Sequence, residues 1–90
     1  MSPRRKPPWS SWEVDFTYHA HERMDERKLT ELDVRHMLEH ARRYQRSRRP
    51  GRWLVFNHLR GVRWAIVVRL DDETRVAWVV TLFEPKESGR

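Results

Sequence analysis

The sequence predicts an α+β fold, with two N-terminal helices packed on one side of a three- to four-stranded antiparallel sheet. Three observations lead there. Apolar residues recur at helical spacing as far as Ala41, and from Arg52 onward they alternate with a period of two. The helical pattern is grouped ahead of the strand meander, an arrangement of α+β rather than α/β chains. A chain of 90 residues supports one modest core, because at this size only about 60–65% of the unfolded surface is buried. The expected organisation is a basic arm over residues 1–10, a single domain over 11–85 and a tail over 86–90.

Each element has its own signal. Residues 1–9 carry three prolines and three cations, which suits an extended, unpacked arm. Trp12-Glu-Val-Asp-Phe16 alternates apolar with acidic residues and reads as a short strand or extended lead-in. Thr17 or Tyr18 opens the first helix, which runs to about Arg27 with Ala20 and Met24 turned inward. Thr30-Glu-Leu-Asp33 forms a capping box for the second helix. Val34, Met37, Leu38 and Ala41 give that helix one apolar stripe, and the arginines from 42 with Pro50-Gly51 end it. Trp53 to Asn57 is a strand, and Leu59-Arg-Gly61 a turn. Val62 to Leu70 forms a second strand, with one apolar and one partly cationic face. A polar loop over 71–74 leads to residues 75–83, apolar on both faces as a covered strand should be.

Composition narrows the function. There is no cysteine, so neither a disulfide nor a thiolate metal site is available. No apolar run reaches the ~20 residues of a membrane span. The basic start has no secretory apolar stretch, and the expected location is cytoplasmic. The net charge is +6, and 16 of the 19 cations are arginine. Arg4, Arg5 and Lys6, with Arg42, Arg43, Arg46, Arg48, Arg49 and Arg52, hold the excess, and without these nine the remainder stands at −3. A mildly acidic body with a basic arm and a basic loop suits a polyanion held by particular segments. The loop over 42–52 is the candidate phosphate grip, and RNA the expected partner, with Tyr44 and Trp53 near it for stacking.

His19, Arg23 and Arg27 stand four residues apart, which places them on neighbouring positions of one helical surface, advancing about 40° per step. Arg27 falls closest to the Ala20/Met24 direction and needs a carboxylate, carbonyl or phosphate as partner. A histidine able to move a proton, beside guanidiniums that stabilise charge on phosphorus, suits metal-free RNA cleavage. The same spacing also serves a structural clamp. Convergence of the polar ends in one cleft separates chemistry from a clamp in which Arg27 pairs with Glu84 or another acid and His19 points to open solvent. Thr81 interrupts the most apolar strand, and alternation puts it on one face with Arg75, Ala77, Val79 and Phe83. His36 and His40 are spaced as a helical metal pair, but no third ligand stands at a recognised spacing; no metal and no cofactor is expected.

The motifs His19-Ala20-His-Glu-Arg23-Met24-Asp-Glu-Arg27, Leu29-Thr30-Glu-Leu-Asp33-Val34 and Val79-Val80-Thr81-Leu82-Phe83 resemble those of a bacterial family, domain of unknown function 4258. The likeness spans roughly residues 16–84. Lys28 departs from the glycine usual there, and residues 42–52 are unusually basic. The resemblance implies the helix-helix-sheet architecture of the RelE and barnase group of small toxins and RNases. It also implies a polar site of His19, Arg23, Arg27 and Thr81.

The leading expectation is therefore a metal-independent endoribonuclease or toxin-like RNA-binding domain. His19 would transfer the proton, Arg23 and Arg27 would stabilise phosphate, and Thr81 would hydrogen-bond. The alternatives are a non-catalytic nucleic-acid-binding module, or an interaction domain docking an acidic, antitoxin-like protein.

Overall fold

The computed structural model describes residues 9–86. The arm over 1–8 and the tail over 87–90 lie outside the described residues. The elements run β1 (Glu13–Phe16), α1 (Tyr18–Arg27), α2 (Glu31–Glu39), β2 (Arg43–Arg46), β3 (Arg52–Leu59), β4 (Val62–Asp71) and β5 (Val76–Phe83). They build one sheet of order β1-β5-β4-β3-β2, with α1 over β5 and α2 over β3. No helix among the described residues is long and apolar enough to cross a membrane.

The α+β expectation holds, but the sheet has five strands and is mixed, not three to four and antiparallel. β1 pairs with β5 in parallel, because two helices and three strands intervene before the chain returns beside it. β2 forms inside the basic segment that the sequence assigned to a loop. Only Tyr44 in Arg43-Tyr-Gln-Arg46 points at the core, so no apolar alternation betrays this strand. It is held by the edge of β3 and by Tyr44 packing 5.7 Å from the Trp53 ring.

Local chemistry explains the helix ends. The Thr17 hydroxyl accepts from the Ala20 amide and donates to the Val80 carbonyl, capping α1 and pinning it to β5. Lys28 ends α1 in the left-handed region at φ 58°, the position that favours glycine, and its amide bonds back to Asp25 and Met24. The capping box of α2 is complete: Thr30 and Asp33 each accept the other's amide, at 3.1 and 3.0 Å. The Asn57 side-chain amide, reaching up from β3, donates to the carbonyls of Met37 and His40 and closes the other end. Arg60 and Gly61, both at positive φ, form the two-residue turn that joins β3 to β4.

The core lies between the helices and one face of the sheet. Val34, Met37, Val55, Ile66, Val68 and Val79 are fully buried there, each side chain contributing about 1.5–3 kcal/mol. Trp9, which the sequence left in the arm, belongs to this core at 3% exposure. On β5 the register slips opposite Val67 and Val68: Val79 pairs with Val68, Thr81 with Val67, and Val80 is the extra residue. This bulge turns the strand over. Ala77, Val79 and Leu82 face the helices, whereas Thr81 and Phe83 face away with Val67 and Ala65.

Candidate nucleic-acid interface

The helical motif does not converge. The His19 side chain is 59% exposed, with Nδ1 3.8 Å from the Glu22 carboxylate. Arg23 Nη1 lies 3.5 Å from Glu26, while its Nε is shielded from solvent without an acceptor. Arg27 Nη1 donates to Glu84 at 3.1 Å, and its guanidinium lies 5.8 Å from the Trp64 ring centre. The three side chains thus meet three different acids. Thr81, expected beside Ala77 and Val79, is carried by the bulge to the far side of the sheet. The arrangement of Arg27 is that of a clamp between the end of α1 and the end of β5.

The opposite face of the sheet has a different chemistry. Alternation and register place Arg43, Arg52, Arg63 and Arg69 on it, with Leu54, Phe56, Val67 and Trp78 half-buried between them. Arg52 stands directly opposite Arg69, and His58 directly opposite Arg63. The Arg43 guanidinium lies 4.6 Å over the Phe56 ring, and that of Arg46, on the helix side, 5.4 Å over Trp53. Arg48 and Arg49 are exposed in the β2–β3 turn, whose backbone is fastened by the Ser47 amide to Arg52 and the Arg49 amide to the Ser47 hydroxyl. Among the described residues, none of Arg42, Arg43, Arg46, Arg48, Arg49, Arg52, Arg63 and Arg69 takes part in an ion pair.

A pocket of about 150 Å³ opens at one end of this face, lined by Arg42, Arg43, Phe56, Asn57, His58, Arg63 and Trp64. A larger cleft of about 690 Å³ lies on the helix side, lined by Trp9, Val14, Leu32, His36 and their neighbours, and touches none of His19, Arg23, Arg27 and Thr81. The His36 and His40 rings are tilted by 50° to each other, with centres 4.6 Å apart. The fold alters the acidity of Asp33. The Thr30 amide above all, then the Thr30 hydroxyl and Arg60, hold its carboxyl below the usual range against the opposing effect of burial.

Sequence reasoning missed His58, Arg63 and Arg69 as partners of the basic segment. The alternation of β4 already marked a cationic face, but only the β3–β4 register aligns it with residues 43–52.

The structure is similar to that of the E. coli RelE toxin. In the RelBE toxin–antitoxin complex the matched chain is 21% identical, with a TM-score of 0.52 covering 84% of this chain and 99% of that chain. The isolated E. coli RelE toxin is 23% identical, with a TM-score of 0.52 over 86% of this chain and 87% of that one. At such identity the likeness is one of fold. No curated protein matches the chain. Residues 16–84 match the family described as domain of unknown function, DUF4258. The chain, with its RelE-like fold, belongs to the DUF4258 family.

Proposed function

We propose that this protein is a toxin-like, cytoplasmic RNA-binding protein that holds RNA on the open face of its sheet and the adjoining β2–β3 hairpin. One observation carries the reading: Arg52 and Arg69 face each other across the strands, in a group of eight arginines none of which, among the described residues, takes part in an ion pair. Like charges directly opposite destabilise a sheet, and a polyanion relieves that repulsion. Half-exposed Phe56 and Trp78 and exposed Phe83 offer ring faces to unpaired bases, which favours single-stranded RNA. The RelE likeness supports a toxin-like role and an antitoxin-like protein partner for the same cationic surface. In this reading the His19–Arg27 helix is a fastening element, and metal plays no part.

Binding of a single-stranded RNA measured against salt is the test. Three or four arginine–phosphate contacts give log K against log[salt] a slope of about −2 to −3. Salt-insensitive binding, or none, overturns the reading. Cleavage of the RNA that His19→Ala abolishes at unchanged fold would return the chemistry to the α1 motif.

A further inference from the structure

The pocket where β2, β3 and β4 meet concentrates the open face's positive charge on one spot. Arg42 and Arg43 enter it from the start of β2, and His58 and Arg63, cross-strand partners, from the adjoining ends of β3 and β4. Phe56 lies beside them as the register partner of Arg43. Arg42, Arg43, His58 and Arg63 are exposed, and no ion pair among the described residues involves any of them. The place is held rigidly. The Arg42 amide donates to the Phe56 carbonyl at 3.1 Å, and the Asn57 side chain, tied to the end of α2, accepts from the His58 amide at 2.7 Å. Three arginines lining one concave spot, with no carboxylate in its lining, match the planar, multidentate recognition of a phosphate group.

We propose that Arg42, Arg43, His58 and Arg63 form a phosphate subsite that seats one phosphodiester of a single-stranded RNA. The proposal rests on the RNA-binding reading and localises it. The guanidiniums hold the non-bridging oxygens, His58 supplies a ring N–H, and the Phe56 ring borders the adjacent base. Arg52 and Arg69, the remaining open-face arginines, then track the backbone away from this anchor.

Hexauridylate, uridine 5′-monophosphate, inorganic phosphate and polyglutamate are titrated into the protein, with the histidine ring and arginine side-chain resonances followed by NMR. The expected result is that inorganic phosphate shifts His58 and Arg63 ahead of the other open-face arginines, and that hexauridylate binds more tightly than the monophosphate. Arg63→Gln and Arg42→Gln each weaken hexauridylate about tenfold, the loss of one charged hydrogen-bonded contact. Arg48→Gln and Arg49→Gln, outside the pocket, weaken it about twofold, and all four exposed-site variants are checked for unchanged thermal unfolding. Equal weakening by all four variants overturns the subsite and leaves the RNA reading standing. Equal affinity for monophosphate and hexauridylate overturns the assignment to RNA. Polyglutamate outcompeting hexauridylate at His58 and Arg63 marks an acidic-protein surface instead, and the absence of any RNA binding removes both readings.

Discussion

The arginines on the helix side differ from those of the open sheet face in what each has been given as a partner. Arg23 lies against Glu26, Arg27 against Glu84, Arg35 against Glu31 and the Val14 carbonyl, and Arg60 against Asp33. Across the sheet, Arg43, Arg52, Arg63 and Arg69 take part in no ion pair among the described residues, and two of them are placed face to face. One residue type therefore does two jobs in a chain of 90 residues. Arg27 and Arg60, paired with carboxylates of other elements, fasten one element to another; gathered outside any ion pair, arginine raises a positive potential that the fold by itself does not use.

That contrast predicts opposite signs for stability and binding on the open face. Arg69→Glu sets an opposite-charge pair across from Arg52, so RNA affinity falls by about tenfold or more while the domain gains about 0.2–1 kcal/mol. Filter binding and urea unfolding on the same variant check both signs, and loss of stability would break the comparison.

On the helix side the largest cost falls on Asn57. Its amide closes two carbonyls at the end of α2, and Asn57→Ala leaves them with water alone, a loss of about 1–3 kcal/mol in urea unfolding. The Arg27–Glu84 pair is half-exposed and worth less. A double-mutant cycle of Arg27→Gln with Glu84→Gln should return a coupling of about 0.2–1 kcal/mol. RNA affinity stays unchanged in both singles if Arg27 is a clamp, and a large affinity loss in Arg27→Gln would blur the division between the two faces.

The smallest effect is an acid-side one at Asp33. Its folded carboxyl ionises more readily than the unfolded one, so its contribution is complete above the ordinary carboxylate range and drains away as pH falls through the lowered value. The stability gap between the protein and Asp33→Asn should therefore narrow below about pH 4. A gap independent of pH would mean that the capping box and the Arg60 contact do not depend on the charge.

Local signals were legible wherever neighbours along the chain carry the cause. The capping box of Thr30 and Asp33, the α2 stripe and the β3–β4 turn all depend on contacts within a few residues, and each appears where the pattern put it. β2 was not legible, because its single inward residue, Tyr44, leaves no alternation to read. Thr81 was assigned to the wrong face because alternation assumes an unbroken strand, and the extra residue Val80 reverses the parity.

The amino-acid sequence by itself determined the helix pair, the strand meander, the family and the two classes of arginine-rich segment, since periodicity, caps and motifs are local properties. The parallel pairing of β1 with β5, the alignment of Arg52 with Arg69, the meeting of His58, Arg63 and Arg43 at one pocket and the partner of Arg27 were decided by the tertiary structure. Each of these depends on register between segments distant in the chain, and register is chosen by the packing of the whole core rather than by any stretch of residues alone.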